Sequence, residues 1–274
     1  TNVILTIDTS GSMTNSSGQI TLDDGTTTTR LALAKEALTD LINSYSTLGT
    51  VNVKLVDFAA SASVITNSSG DVWMTAQEAL TAIENLDSGG NTNYEDAVLK
   101  TYQNYTEPAA DQTVAYFISD GAPNKENDGG GSAGSAGKYL DQDYITNWTS
   151  FLADNVDDLH VVALGEGISN YDYLDVLADA GGVETTIVTD ATQLSDALAP
   201  ELTVSGDALD NIGSGTTLDN ISGGNGTISI DHITVNGTDY NANDFPSTGV
   251  KIAGQGNFTF DFTTGQYSYS GKAS

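Results

Sequence analysis

The sequence predicts a doubly wound α/β domain over residues 1–200, with a mostly parallel sheet, followed by a small β-rich extension over residues 201–274. Up to about Pro200, short apolar runs alternate with segments of helical periodicity. Beyond it, Gly, Asn, Thr and Asp dominate and helical periodicity ends. The 274 residues are 38 % hydrophobic, which is enough to bury a core.

Six apolar runs, rich in β-branched residues, predict the strands of the first part. They cover 3–7, 51–58, 64–65, 114–118, 161–164 and 186–188. Apolar residues at helical spacing predict helices within 31–42 and near 75–86, 94–106, 143–154, 170–179 and 191–199. Because strands alternate with helices, we expect right-handed crossovers and helices on both faces of the sheet.

The extension shows alternating, strand-like patterns instead. Residues 227–230 and 233–235 alternate, with an Asn-Gly turn signal after the second run. Residues 258–262 and 266–269 predict a hairpin with one aromatic face. A segment with so few large apolar side chains would be marginally stable alone, so we expect it to pack on the α/β domain.

Composition excludes several classes of function. Thirty-seven Asp and Glu stand against eight Lys and Arg, a net charge of −29, so nucleic acid and anionic membranes are poor partners. No apolar run approaches the ~18 residues of a membrane helix, so we expect no membrane insertion. The lack of Cys excludes disulfides, thiolate metal sites and cysteine nucleophiles. Since the chain starts at Thr1 without Met, we interpret it as an excised, monomeric piece of a longer protein.

Three separate segments carry small oxygen-bearing side chains near the ends of predicted elements. Asp8-Thr9-Ser10-Gly11-Ser12 ends the first strand, Gly89-Gly90-Asn91-Thr92-Asn93 precedes a helix, and Ile118-Ser119-Asp120-Gly121 ends the fourth strand. In an open α/β sheet, ligands bind at the carboxyl ends of the strands. Carboxylate and hydroxyl oxygens suit a hard divalent cation, and alternate residues of an extended turn can point toward one ion.

This pattern resembles the von Willebrand factor A domain family, whose metal-ion-dependent adhesion site has the order Asp-x-Ser-x-Ser, a distant Thr and a later Asp. The resemblance covers roughly residues 1–200. It implies that Ser10 and Ser12 bind the metal directly, that Asp8 and Asp120 act largely through water, and that Thr92 contributes its hydroxyl directly or through water. It also implies the strand order 3-2-1-4-5-6, with Asp8 and Asp120 on neighbouring strands.

Finer detail resembles the A domains of large bacterial RTX adhesins, which are exported by type I secretion. The segments concerned include Asp57-Phe58-Ala59, Val72-Trp73-Met74-Thr75 and the run from Tyr116 to Asn124. The resemblance implies a secreted or cell-surface protein with one Mg²⁺ or Ca²⁺ at the adhesion site. It leaves the number of additional Ca²⁺ sites undecided. The RTX nonapeptide repeats are absent from the sequence, and we expect no second metal beside Met13-Thr14-Asn15.

Two insertions, residues 14–29 and 124–138, directly follow predicted strands at the same edge. We suspect both of contributing to ligand binding, although a plain surface insertion is the simpler interpretation of the Gly-rich second one.

These features predict a metal-dependent adhesion module that binds an acidic or hydroxyl oxygen of a protein or surface ligand. Four alternatives stay open: caps and turns without a metal, a purely structural metal, an intracellular docking subunit, and a metal-assisted hydrolase. We expect no enzyme activity, because the sequence has no Cys, no Gly-x-Ser-x-Gly and no His near a candidate Ser.

Overall fold

The computed structural model describes residues 1–16, 18–22, 24–127, 140–164, 172–199, 201–207, 230–235, 237–252 and 256–272. The chain divides into a first unit, Thr1–Leu198, and a second unit, Ala199–Ser274. Most of the insertion 124–138 and the predicted strand residues 227–229 lie outside the described residues. The expected packing of the extension on the α/β domain stays a prediction.

The first unit alternates strands and helices, as the sequence predicts. Within the described residues its strands are β1 (Asn2–Asp8), β2 (Gln19–Thr21), β3 (Thr27–Thr29), β4 (Asn52–Phe58), β5 (Ala62–Ile65), β6 (Met74–Thr75), β7 (Thr113–Ser119), β8 (Asp158–Leu164) and β9 (Thr186–Val188). Its α-helices are α1 (Arg30–Leu48), α2 (Ala76–Glu84), α3 (Tyr94–Tyr102), α4 (Gln142–Asn155), α5 (Asp172–Ala180) and α6 (Leu194–Leu198).

The main sheet has β5, β4, β1, β7, β8 and β9 side by side in that order, and β6 pairs with β4. Strand β1 runs parallel to β4 and β7, with Ile7 opposite Asp57 on one side and Ile118 on the other. Only β5 and β6 run antiparallel to their neighbour β4. The predicted doubly wound, mostly parallel sheet of order 3-2-1-4-5-6 is therefore confirmed, with the two-residue strand β6 as an addition.

Apolar side chains cover both faces of this sheet, because successive residues of a strand point to opposite sides. On one face, Leu5 and Leu55 join a buried cluster with residues of α1, α2 and α6. On the other, Ile4, Phe117 and Trp148 join a second cluster with residues of α3, α4 and α5. The sheet is thus the middle layer of three, and polar side chains lie at the edge where its parallel strands end.

Side-chain caps fix where the helices next to that edge begin. The Thr29 hydroxyl accepts a hydrogen bond from the Ala32 amide at the start of α1, and Asn93 accepts one from the Asp96 amide at the start of α3. None of the helices in the described part of the chain is long and apolar enough to cross a membrane.

Two predictions for the first unit need correction. The insertion 14–29 is more than a connecting loop, because Thr27–Thr29 pairs with Gln19–Thr21 to form the hairpin β2–β3. Helix α3 ends at Tyr102 rather than near 106, since Gln103 adopts an extended ψ of 130° and Asn104 a left-handed φ of 51°.

The second unit is β-rich, as predicted. Its four-stranded antiparallel sheet has the order β10 (Glu201–Asp207), β15 (Gln266–Lys272), β14 (Gly256–Phe260) and β13 (Val250–Ile252). A separate hairpin joins β11 (Ile233–Val235) to β12 (Thr238–Tyr240).

The aromatic hairpin forms with Phe258 opposite Tyr269 and Phe260 opposite Tyr267. The first of its strands ends at Phe260, two residues earlier than predicted, because the Asp261 carboxylate accepts the amides of Thr263 and Thr264 and closes the turn.

Candidate metal centre

The two candidate carboxylates meet at the ends of neighbouring strands. Asp8 is the last residue of β1, and Asp120 directly follows β7. Because β1 and β7 are paired in parallel, both side chains reach the same edge of the sheet. Asp8 is 0 % exposed and Asp120 only 4 %, so two acidic groups are buried together where the sequence predicts a cation.

Two serines connect these carboxylates. The Ser12 hydroxyl donates a hydrogen bond to Asp120 Oδ1 at 2.7 Å, and the Ser10 and Ser12 hydroxyl oxygens lie 3.1 Å apart. The Ser10 amide donates to Asp8 Oδ1 at 2.7 Å. The structure thus brings four of the five predicted ligands into one hydrogen-bonded group.

Thr92, the fifth candidate, is anchored beside this group through its backbone. The carbonyl of Gly90 accepts a hydrogen bond from the Gly11 amide at 3.1 Å, which ties its segment to the first one. Thr92 itself exchanges hydrogen bonds with Asn124: its amide donates to Asn124 Oδ1, and its carbonyl accepts from the Asn124 amide, both at 2.9 Å. Thr92 is 5 % exposed, and its segment is joined to the first segment through Gly90 and to the residues that follow the third segment through Asn124.

Gly90 permits the close approach of these segments. Its φ is +87°, a conformation that residues with a side chain rarely adopt. A Cβ at this position would also lie 3.3 Å from the Cβ of Ala60. The turn therefore favours glycine at this position, and the side chain of Ala60 leaves little room for a Cβ.

The electrostatics of the site favour an added positive charge. Burial, and next the charge of Asp120, raise the pKa of Asp8 to about 7, while hydrogen bonds from Ser119 and Ser10 act in the opposite direction. Two carboxylates in a space closed to water cannot both stay ionised at low cost unless a cation compensates them.

Sequence reasoning missed two residues of this site. Arg30, at the start of α1, places Nη1 2.9 Å from Asp120 Oδ2, and its side chain is only 12 % exposed. The Ser119 hydroxyl donates to Asp8 Oδ2. The sequence offered two signals for Arg30. It is one of only eight Lys and Arg in the chain, and it stands between the insertion 14–29 and the helix that follows.

The available donors fit a hard divalent cation. They are carboxylate and hydroxyl oxygens, which Mg²⁺ and Ca²⁺ prefer, and the set contains no sulfur or imidazole. In the part of the chain that the structure describes, no three His, Asp or Glu side chains group to hold a metal. A cation here would therefore depend on Ser10, Ser12 and Thr92 in addition to the two carboxylates.

The suspected ligand-binding insertions begin at this site. A hydrogen bond between the hydroxyls of Thr14 and Ser88 joins the start of insertion 14–29 to the loop that leads into Thr92. The described start of insertion 124–138 is held by the Asn124 contacts and by Asn127, whose amide donates to Glu95 Oε2 at 2.7 Å. The rest of that insertion lies outside the described residues.

Comparisons with known proteins identify the fold. Residues 3–122 match the family model of the von Willebrand factor type A domain. No curated protein matches the chain.

Three solved structures are similar to this chain. The PilB minor pilin from Streptococcus sanguinis is 19 % identical, with a TM-score of 0.52 over 72 % of this chain and 59 % of that one. The conserved hypothetical protein BatB from Bacteroides thetaiotaomicron is 14 % identical, with a TM-score of 0.50 over 72 % and 94 %. Proximal thread matrix protein 1 from the mussel byssus is 16 % identical, with a TM-score of 0.50 over 74 % and 49 %. At these identities the likeness concerns the fold, and the chain spans less than two thirds of the pilin and mussel structures. Residues 3–122 thus match a von Willebrand factor type A domain in sequence, and the unit that contains them has the fold of that domain.

Proposed function

We propose that the first unit is a metal-ion-dependent ligand-binding module, used for cell or surface adhesion. The observation that carries this proposal is the buried pair Asp8 and Asp120, joined by Ser10 and Ser12 at the carboxyl edge of the sheet. This edge is where ligands bind in open α/β folds.

Each residue has a distinct role in this proposal. Ser10, Ser12 and Thr92 supply neutral oxygens, and Asp8 and Asp120 supply the negative charge that retains a cation. When bound, the divalent cation supplies an incompletely neutralised centre with an open position for an acidic or hydroxyl oxygen of the partner. Asp8 is oriented for its role by the Ser10 amide and the Ser119 hydroxyl.

Arg30 strengthens the preference for an anionic partner. Its guanidinium already compensates part of the charge of Asp120, with Nη1 2.9 Å from Oδ2. A divalent cation added to two carboxylates and one guanidinium leaves the site with an excess of positive charge. The net charge of −29 acts against an acidic partner only over the Debye length of ~8 Å at physiological salt.

We further propose that this module is part of a secreted bacterial adhesin of the RTX type, which acts at the cell surface. Its support is the resemblance of the motifs, together with the acidic, Cys-free composition. In this proposal the protein is a monomer and has no enzymatic activity. It binds a protein or surface ligand through Mg²⁺ or Ca²⁺.

Metal binding and adhesion are tested separately. Isothermal titration of the full chain, stripped with EDTA, with MgCl₂ should give one site. The double variant Ser10→Ala, Ser12→Ala should abolish binding, whereas Ser16→Ala, an exposed neighbour, should retain it. If the double variant binds as the wild type does, the assigned site is wrong.

Adhesion is then measured on a panel of immobilised cells, with and without EDTA. We expect chelation to release the protein and Mg²⁺ or Ca²⁺ to restore binding. Metal binding without any metal-dependent adhesion would instead identify the ion as structural. Adhesion unaffected by both EDTA and Asp120→Ala would overturn the mechanism.

A further inference from the structure

Tyr94, the first residue of α3, lies beside the metal centre and is not one of its candidate ligands. It follows Thr92 by two positions in the sequence and is 0 % exposed. Its hydroxyl donates a hydrogen bond to the carbonyl of Gly121 at 2.6 Å. Because Gly121 directly follows Asp120, this bond joins the segment of one candidate ligand to the segment of another.

Aromatic packing fixes the direction of the Tyr94 hydroxyl. The ring is T-shaped to Phe58 of β4 and to Phe117 of β7, with centroid distances of 5.8 and 5.2 Å. These two strands flank β1, which ends at Asp8. Burial, and next the charge of Asp8, raise the pKa of Tyr94 well above its ordinary value, so the hydroxyl stays a donor. The sheet therefore aims this donor at the turn that follows β7.

Hydrogen bonds hold the backbone at Gly121. A Cβ at this glycine would meet nothing within 4 Å, so no neighbour packs against that side of the turn. The oxygen of the Ser119 hydroxyl lies 3.2 Å from the Gly121 carbonyl oxygen and 3.4 Å from the Gly121 nitrogen. The same hydroxyl donates to Asp8 Oδ2. Loss of the Tyr94 hydroxyl would therefore disturb a turn that is connected to both buried carboxylates.

The start of α3 connects Tyr94 to Thr92 on the other side. The amide of Asn93, which lies between them, donates to the carbonyl of Ala59 at 2.9 Å. The backbone is thus fixed directly after Thr92, and Tyr94 fixes the next position through its ring and its hydroxyl. A shift of Gly121 relative to Tyr94 would therefore change the separation between the two segments.

We propose that Tyr94 is a positioning residue of the metal centre, which sets the separation between the Thr92 segment and the Asp120 carboxylate through its hydrogen bond to Gly121. The inference rests on the proposed function, because it concerns the same cation. It adds to the site a residue that acts through its neighbours and does not contact the ion.

The test compares Tyr94→Phe with Tyr45→Phe in the full chain. Tyr45 is a matched control, because it is also buried and its hydroxyl is hydrogen-bonded to that of Tyr116 at 3.0 Å, outside the site. Each change removes one buried hydroxyl and keeps the ring, so we expect both to lower the temperature of unfolding in EDTA. Isothermal titration with MgCl₂ should give an affinity about tenfold weaker for Tyr94→Phe, as for the loss of an outer-shell partner, and unchanged for Tyr45→Phe.

NMR of the backbone amides gives a second measurement that needs no metal. In EDTA, Tyr94→Phe should shift the amide resonances of Thr92 and Asp120, because both segments depend on the same hydrogen bond. Tyr45→Phe should leave these resonances in place. Resonances of Thr92 and Asp120 that do not move in Tyr94→Phe would overturn the inference.

The outcomes separate this inference from the proposed function. A wild type that binds no Mg²⁺ overturns the proposed function, and this inference with it. A wild type that binds Mg²⁺, with Tyr94→Phe binding it equally or with Tyr45→Phe weakened to the same extent, overturns this inference alone. If Tyr94→Phe does not fold, replacement of Tyr94 by 4-aminophenylalanine, a weaker donor of similar shape, should still lower the affinity severalfold, and an unchanged affinity would count against the inference.

Discussion

Arg30 and Asp120 form an ion pair at the metal centre, with 2.9 Å between Nη1 and Oδ2 and with the Asp120 side chain fully buried. The pair joins the first turn of α1 to the end of β7, across ninety positions of the sequence. The guanidinium therefore compensates part of the charge of the buried Asp120 carboxylate.

We expect Arg30→Gln to destabilise the protein by about 3 kcal/mol in EDTA, because a buried carboxylate loses its counter-ion. The loss should be smaller in saturating Mg²⁺, since a bound cation compensates the same charge. Urea unfolding in both buffers measures the difference. Lys251→Gln is the control, because it removes an equal charge from an exposed position of the second unit. Equal losses with and without metal would show that Arg30 acts independently of the cation site.

Asp120→Asn should lower the affinity for Mg²⁺ or Ca²⁺ about 10- to 100-fold, the usual effect of losing an outer-shell partner of a metal. The change keeps the size of the side chain but removes its charge. Isothermal titration of the EDTA-treated protein measures the dissociation constant, and Asp40→Asn, which is exposed on α1, should leave it unchanged. Unchanged affinity in Asp120→Asn would exclude this carboxylate from the site.

Gly90→Ala and Gly70→Ala form a matched pair. Both glycines have a φ of +87°, but a Cβ at Gly70 would meet nothing within 4 Å, whereas one at Gly90 would lie 3.3 Å from the Cβ of Ala60. We expect Gly70→Ala to cost about 1 kcal/mol of unfolding free energy, through backbone strain alone. Gly90→Ala should cost more and should also weaken metal binding, because it displaces the segment that holds Thr92. Equal effects on unfolding and on metal affinity would show that the contact with Ala60 is unimportant.

The stability of the protein should rise with pH between about 8 and 10 through Lys54. Burial lowers the pKa of Lys54 to about 8 from 10.5, although its Nζ donates to the Thr101 carbonyl and lies over the Tyr105 ring. Below pH 8 both the folded and the unfolded state bind this proton. Between the two pKa values only the unfolded state does, so raising the pH favours folding.

The measurement compares the unfolding free energy of the wild type with that of Lys54→Met from pH 7 to 10. The difference should move in favour of the wild type above pH 8. A difference independent of pH would mean that Lys54 titrates alike in the two states.

The sequence was sufficient to predict much of the fold and the grouping of the site, for identifiable physical reasons. Strands buried on both faces leave continuous apolar runs such as Val3–Ile7, and alternation with helices restricts the topology. Asp8, Ser10 and Ser12 are close in sequence, so their convergence follows from local geometry. Their role as metal ligands stays a prediction.

Features that depend on distant contacts could not be predicted in the same way. Arg30 reaches Asp120 only because the hairpin β2–β3 returns the chain to the start of α1. Thr27–Thr29 form a strand only because Gln19–Thr21 pairs with them.

The distance along the chain between the two carboxylates has a consequence for biogenesis. The proposed cation site is complete only after β7 has paired with β1, which requires more than a hundred intervening residues to fold. A nascent or unravelled chain therefore has no high-affinity pocket, and an ion that binds only the finished sheet shifts the folding equilibrium by mass action. In this way the concentration of free cation around the protein would govern the fraction of chains in which the sheet is formed.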